Sequence, residues 1–235
     1  MRPFWIGPVT LLAAACAQPT APPPGPGQPA PTKSSSAHGT VNPANIKRVG
    51  RELPPDYEVT TAIPRTASPR VIWRLEAGAS AIRAKPPGCA ILADPGNGRD
   101  QSAQGVSGSG SGGIVDAVVV SLPGLREPPE PFALEHDVVA ACGQWTMMAG
   151  RTTVSVHLTD APRIDGAETL GMVADVRTSV ESGTEIDSRA YTFTAYLGDY
   201  YAFTTLTTDP GSVHPALLPQ FAADLLVKTV STLRS

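Results

Sequence analysis

Residues 188–207 read SRAYTFTAYLGDYYAFTTLT, two runs of β-forming residues on either side of the pair Gly198-Asp199. Aromatic and β-branched residues favour strands, and a Gly-Asp pair between two such runs is typical of a hairpin turn. The stretch therefore predicts an antiparallel hairpin of strands 188–197 and 200–207. The hairpin has six aromatic residues, Tyr191, Phe193, Tyr196, Tyr200, Tyr201 and Phe203. Most of them are expected in the core or in cross-strand pairs, and any that are exposed would form an apolar binding patch.

Outward from this hairpin, further strands and several helices are predicted. The strands are expected at residues 57–63, 114–122, 145–148, 152–158 and 171–181. The helices are expected after the cap Asn42-Pro43 as far as Glu52, and at residues 90–93, 130–142 and 215–233. In the last helix four residues are expected to face inward: Leu218, Phe221, Leu225 and Val230. Strand runs with helices at the ends predict one α+β domain over residues 41–235, an antiparallel sheet of about five to seven strands with helices packed on one face.

The N-terminus has the features of a bacterial lipoprotein signal peptide. Arg2, an apolar stretch and three alanines precede Cys16, and this stretch is shorter than the roughly 20 residues that a membrane-spanning helix needs. We expect residues 1–15 to be removed and Cys16 to receive acyl chains such as palmitate, which would anchor the protein at the extracytoplasmic face of the cell membrane. An ordinary secretory signal, cut elsewhere and leaving a free thiol, is the alternative.

Residues 16–40 predict a tether between that anchor and the domain. Seven prolines lie between Pro19 and Pro31, and three serines follow. Proline-rich chain is extended and semi-rigid, so it acts as a spacer.

Two cysteines remain once Cys16 is acylated. In an oxidising compartment we expect Cys89 and Cys142 to form a disulfide. Two buried thiols are the alternative. Neither cysteine has a partner at zinc-binding spacing, so no metal site is predicted.

The sequence contains few patterns that are typical of catalytic sites. Residues 108–113, GSGSGG, fit the letters of the dinucleotide-binding motif, but polar residues precede them and β-forming residues follow, so we interpret them as a flexible hairpin. No GxSxG hydrolase motif is present. His38 and His214 have no metal-binding spacing, and a catalytic His136 or His157 would need a nucleophile that the sequence does not place beside it. We therefore predict no catalytic residue and no cofactor.

The charge of the chain argues against one class of partner. The formal net charge is −3 at pH 7, and no run of four basic residues occurs. Nucleic-acid binding needs a basic surface, so nucleic acid is not expected as a partner.

Three segments carry a resemblance to a known family: NPANIKRV at residues 42–49, ELPPDYEV at 52–59 and PGCAILADP at 87–95. They resemble a family of mycobacterial lipoproteins of unknown function. The chain is also similar, more distantly, to the extracellular sensor domain of PknH-type serine/threonine kinases. This resemblance implies an α+β domain with an antiparallel sheet, a cleft and two disulfides, although only one cysteine pair is available here and no kinase domain is present.

These features together predict a lipid-anchored protein of the cell envelope with a non-catalytic binding or sensor-like domain. Its expected partners are the membrane, through the anchor, and a small apolar or envelope-derived ligand. A protein–protein adaptor is the alternative, and a hydrolase is less favoured. A binding module predicts a concave pocket and an adaptor a flat exposed patch, whereas an enzyme predicts a cleft where His136 or His157 meets a serine and a carboxylate.

Overall fold

The computed structural model describes residues 40–75, 81–96, 101–122 and 134–235. The predicted signal peptide, Cys16 and nearly all of the predicted tether lie outside these residues. The strands are β1 (Glu58–Thr60), β2 (Arg83–Lys85), β3 (Ser102–Gly110), β4 (Gly113–Ser121), β5 (Gln144–Ala149), β6 (Thr152–Thr159), β7 (Glu168–Ser179), β8 (Glu185–Tyr196) and β9 (Tyr200–Thr208). They form one antiparallel sheet in the order β1-β3-β4-β9-β8-β7-β6-β5-β2.

The antiparallel α+β class is confirmed, but the expected number of strands is wrong, because the sheet has nine. Two strands escape the sequence pattern. β2 has three residues and pairs with β5 at one edge, so it is too short to show alternation. β3 is rich in glycine and serine, which are poor strand formers, yet it pairs with β4 along its whole length.

The helices are short except at the C-terminus. Among the described residues the α-helices are α1 (Pro69–Ile72), α2 (Ala90–Ala93), α3 (His136–Ala141) and α4 (Pro219–Leu233), and Pro43–Glu52 and Pro87–Cys89 are 3-10 helices. The helix expected to begin at residue 215 begins instead at Pro219, and Leu218, expected to face inward, is 74% exposed. Proline at the first helical position explains this start, because its missing N–H costs nothing there. None of the described helices is long and apolar enough to cross a membrane.

Both faces of the sheet carry an apolar core. On one face α4 and Pro43–Glu52 pack over the β3, β4, β9 and β8 region, where the core includes Val115, Ala202 and Leu206. On the opposite face Tyr201 and Phe203 are buried, because successive residues of a strand point to opposite sides. The hairpin 188–207 is thus central to the sheet, and apart from Arg189 and the turn residue Asp199 its residues are buried or half-buried.

The opposite face also carries helices, so the expectation that helices pack on one face only is wrong. Residues of α2 and the chain that follows α1 cover β5 to β8 there, with Trp73, Leu92 and Trp145 in a common core. α1 and α2 are single turns, and a single turn is too short to show the 3.6-residue period that would mark its buried side.

A disulfide joins Cys89 to Cys142 within this second core. The two Cα atoms are 5.6 Å apart, and both residues are almost fully buried. The bridge ties the 3-10 helix Pro87–Cys89 to the end of α3.

Candidate functional site

A cleft of about 510 Å³ opens at one end of the sheet. Four strand segments meet there: the β3–β4 hairpin, the end of β7, the start of β8 and the end of β9. The loop before α4 and the residue after Trp73 complete its walls. We call it the hairpin cleft and define it by Arg74, residues 110–114, Thr178, Ile186, Thr207 and His214.

The apolar part of the hairpin cleft is formed by isoleucines that the protein leaves exposed. Ile114 is 39% exposed and Ile186 is 57% exposed. Burying an isoleucine contributes roughly 1.5–3 kcal/mol, so leaving two of them at one concave site forgoes stability that a ligand could recover.

Hydroxyl groups and main chain provide the polar part of the cleft. The glycine-rich turn, residues 110–113, presents its backbone to the cleft. Six residues with hydroxyl side chains line it: Ser111, Thr178, Ser188, Thr207, Thr208 and Ser212. Such a mixture can hold an apolar body and orient a polar end.

The two carboxylates at the cleft already have partners. Asp187 Oδ1 accepts a hydrogen bond from Arg177 Nε at 2.9 Å. Asp209 Oδ1 accepts one from the Gly211 amide at 2.8 Å. Arg74 is the exception among the charged residues of the cleft, because its guanidinium has no ion pair or hydrogen bond with any described residue.

Arg74 also has an unusual backbone conformation. Its φ is +65°, the left-handed region, and it is the sole residue other than glycine with positive φ in the described part of the chain. It ends α1 in a Schellman motif: its amide donates to Val71 O at 2.9 Å, and the Leu75 amide donates to Arg70 O at 3.0 Å. Glycine is the usual residue at this position, so arginine is held here against its backbone preference.

A buried row of polar residues lies beside the cleft on the same face of the sheet. Asp116 lies between Ser107 and Thr205 in the strand register and is 5% exposed. The Thr205 hydroxyl hydrogen-bonds that of Thr192 at 3.1 Å, and Trp73 Nε1 donates to Thr192 Oγ1 at 3.1 Å. This bond anchors Trp73, and with it the neighbouring Arg74, over the sheet.

Asp116 is the acidic residue of this row, and the pKa of its carboxyl is raised. Burial raises the pKa of its carboxyl to about 6, and a hydrogen bond with Ser107 acts in the opposite direction.

The glycine run of the hairpin has a packing role. A Cβ at Gly108 would come within 2.6 Å of Leu53 Cδ1, and one at Gly112 within 2.8 Å of Tyr57 Oη. A Cβ at Gly110 would overlap the Tyr57 ring itself. The hairpin expected at residues 108–113 is confirmed, and its glycines make room for the two side chains that lie on it.

The histidines lie in separate places. His214 lines the hairpin cleft. His136 Nε2 lies 2.7 Å from Glu168 Oε1, while Glu168 Oε2 accepts a hydrogen bond from the Leu134 amide at 2.9 Å.

His157 is exposed on β6, opposite Gln144 and Val173. In the described residues no serine or cysteine hydrogen-bonds either His136 or His157, and His38 lies outside them.

No candidate metal centre stands beside the cleft. The described residues contain no group of three or more histidine, cysteine, aspartate or glutamate side chains that could hold an ion. Cys89 and Cys142 do not line the hairpin cleft.

A second surface lies on the α4 side of the sheet, where α4 does not reach. We call it the charged sheet face and define it by Thr153, Ser155, Asp175, Arg177, Asp187 and Arg189, which line a depression of about 480 Å³. Its charges are paired, since Arg189 Nε lies 2.6 Å from Asp175 Oδ1 and Arg177 Nε lies 2.9 Å from Asp187 Oδ1.

The comparisons with known proteins concern the domain as a whole. The model of one family, a domain of unknown function (DUF5642), matches residues 42–234. No curated protein matches the chain.

Two solved structures are similar to this domain. The structure of an uncharacterized protein from Mycobacterium smegmatis, an ortholog of Rv0999, has 17% identity and a TM-score of 0.59, over 85% of this chain and 100% of that one. The extracellular domain of PknH from Mycobacterium tuberculosis has 14% identity and a TM-score of 0.47, over 88% of this chain and 97% of that one. At these identities the first similarity concerns the fold alone, so the site must be interpreted from its own residues.

Proposed function

This chain belongs to the DUF5642 family, which is defined by a domain of unknown function, and we propose that its domain binds a small ligand in the hairpin cleft. In this proposal the domain is a non-catalytic binding or sensor module. The observation that carries it is the cleft itself, whose volume of about 510 Å³ falls within the range typical of ligand sites.

The composition of the cleft supports a ligand with an apolar part. Ile114 and Ile186 offer exposed apolar surface, while hydroxyls and the turn backbone surround it. Surface isoleucines scattered singly need no explanation, but two in one concave site are typical of a binding surface.

The proposal places the domain outside the cytoplasm. The buried Cys89–Cys142 disulfide supports this location, because structural disulfides persist in oxidising compartments. The predicted acylation of Cys16 would then hold the domain at the membrane, where envelope-derived molecules are within its reach.

The test is to identify what the protein carries when it is purified. The full chain with Cys16→Ser, which removes the acylation site, would be exported and isolated without detergent, and its solvent extract analysed by mass spectrometry. We expect a bound molecule in stoichiometric amount, and its loss from the double variant Ile114→Thr, Ile186→Thr. Both residues are exposed, so the fold should tolerate the change.

Met148→Thr is the matched control. Met148 is a strand residue that is 42% exposed and does not line the hairpin cleft. Retention of the molecule by this variant would locate binding in the cleft. An empty wild-type protein, or equal loading of the cleft variant and the wild type, would contradict the proposal.

A protein–protein adaptor is the second candidate, and its partner would bind the exposed side chains of the charged sheet face. Because the charges of that face are already paired within the sheet, a partner would have to compete with those pairs. An adaptor would keep its partner in the Ile114→Thr, Ile186→Thr variant and lose it when Arg177 and Arg189 are replaced.

A further inference from the structure

We infer that the hairpin cleft selects amphiphiles with an anionic headgroup, a phosphate or a carboxylate, and that Arg74 binds that headgroup. The inference rests on the proposed function, and it adds the chemical class of the ligand and the residue that selects it. Ile114 and Ile186 would hold the apolar chain of the same molecule.

The first step is the distribution of charge in the cleft. Asp187 is ion-paired with Arg177, whereas Asp209 keeps its negative charge and accepts a hydrogen bond from the Gly211 amide. The Arg74 side chain lines the cleft, and its guanidinium has no hydrogen bond or ion pair with any of the described residues. A guanidinium matches the geometry of phosphate and carboxylate, and such charge-assisted hydrogen bonds are stronger than neutral ones.

The second step is the backbone of Arg74. A residue with φ +65° at the end of α1 would ordinarily be glycine. Strained backbone is retained at sites where surrounding structure fixes it and function uses it. Here the fixing contact is the Trp73 Nε1 bond to Thr192, which holds the residue before Arg74 on the sheet.

The third step separates an amphiphile from a free anion. The cleft has two exposed isoleucines, which a bare phosphate would leave in water. A ligand that fills the cleft covers these side chains as well as pairing with Arg74, and apolar burial then adds to the ionic contact.

The experiment measures the dissociation constants of a set of probes for the full chain with Cys16→Ser. Decyl phosphate and decanoate carry the anion with the chain, 1-decanol has the chain without the charge, and inorganic phosphate has the charge without the chain. We expect decyl phosphate and decanoate to bind more tightly than 1-decanol, and inorganic phosphate to bind weakest.

The variants test whether Arg74 is responsible. Arg74→Gln should weaken binding of decyl phosphate about tenfold and leave the affinity for 1-decanol unchanged. Arg74→Lys should keep part of the preference for the anionic probes. Arg83→Gln removes the same charge from edge strand β2, outside the cleft, and should change nothing.

The outcomes distinguish this inference from the function on which it rests. Equal binding of decyl phosphate and 1-decanol would overturn the selection of anions and leave a cleft that binds apolar ligands. If inorganic phosphate bound as tightly as decyl phosphate, the inference that the ligand is an amphiphile would be contradicted. Unchanged affinity in Arg74→Gln would overturn the role of Arg74, and a failure of all four probes to bind would count against the proposed function as well.

Discussion

The backbone conformation of Arg74 lowers stability, while its side chain lies where a ligand could bind. Its side chain is exposed at the hairpin cleft, and its backbone occupies the left-handed region that suits glycine. Left-handed conformation costs a residue with a Cβ about 1–2 kcal/mol, so an arginine at this position lowers the stability of the folded protein. A functional role of the side chain would explain why arginine is present here.

Replacing Arg74 with glycine is therefore expected to raise the thermal midpoint. Relief of the backbone strain should exceed the extra flexibility that glycine gives to the unfolded chain, for a net gain of about 0.5–1 kcal/mol. Calorimetry of wild type and Arg74→Gly measures this. The control is Arg83→Gly, where glycine replaces an arginine in ordinary strand conformation and should lower the midpoint. A lower midpoint for Arg74→Gly would mean that the arginine is not strained.

Asp116 predicts a specific dependence of stability on pH. Its pKa is raised from 3.8 to about 6 in the folded protein, mainly by burial. Between these values the folded state holds a proton that the unfolded state has lost, so stability falls as the pH rises from about 4 through 6. The full effect of this one group is about 3 kcal/mol.

Asp116→Asn should remove that fall, because the amide does not ionise. We expect the variant to match the wild type near pH 4 and to be more stable at pH 8. Urea denaturation at both pH values checks this, and Asp160→Asn, at an exposed aspartate, serves as control. A wild type and variant that change in parallel with pH would contradict the raised pKa.

At the scale of elements, the β3–β4 hairpin shows where sequence patterns fail. The strands with aromatic and β-branched residues, β4 to β9, were predictable because their composition and their turns agree. β3 was not predictable from its composition. Its glycines are needed because Leu53 and Tyr57, which are distant in sequence, pack against the strand. Packing between distant segments overrides local propensity in this hairpin.

Gly110→Ala tests this explanation. A Cβ at this position would overlap the Tyr57 ring, and forcing such a contact costs about 1–3 kcal/mol. Gly88→Ala is the matched control, because a Cβ at Gly88 would have no neighbour within 4 Å and its φ is not positive. Chemical denaturation should show a loss for the first and little change for the second, and the loss should shrink in a Tyr57→Ala background. Equal stability of Gly110→Ala and wild type would mean that the glycine is not needed for Tyr57.

At the scale of the whole molecule, the Cys89–Cys142 bridge closes a long loop. The two cysteines are 53 residues apart in the sequence and join the chain before β3 to the chain after α3. Removing a cross-link of this length should cost about 4 kcal/mol through the larger entropy of the unfolded chain.

The double variant Cys89→Ser, Cys142→Ser should lower the unfolding free energy by about that amount. Reduction of the wild type should lower it equally, while a reductant should not affect the variant further. Urea denaturation with and without reductant measures both effects. A wild type that is insensitive to reductant would show that the bridge does not stabilise the domain.

The candidate site was not predictable, because it exists only in the assembled fold. Arg74, Ile114, Ile186 and His214 are distant in sequence, and the sheet order brings them to one cleft. The hypothesis of a binding module predicted a concave pocket, but the sequence did not indicate which residues would line it. Ile186, between Glu185 and Asp187, had no pattern that would mark it as part of a strand or of a binding surface.

Photo-crosslinking with a decyl phosphate that bears a diazirine on its alkyl chain tests binding in the hairpin cleft most directly. After irradiation of the full chain with Cys16→Ser, peptide mass spectrometry locates the label. We expect labelling at the β3–β4 turn around Ile114 and at the start of β8 around Ile186, and its suppression by excess decanoate. Labelling confined to other surfaces such as β5 and β6, or labelling that decanoate does not suppress, would contradict a ligand site in this cleft.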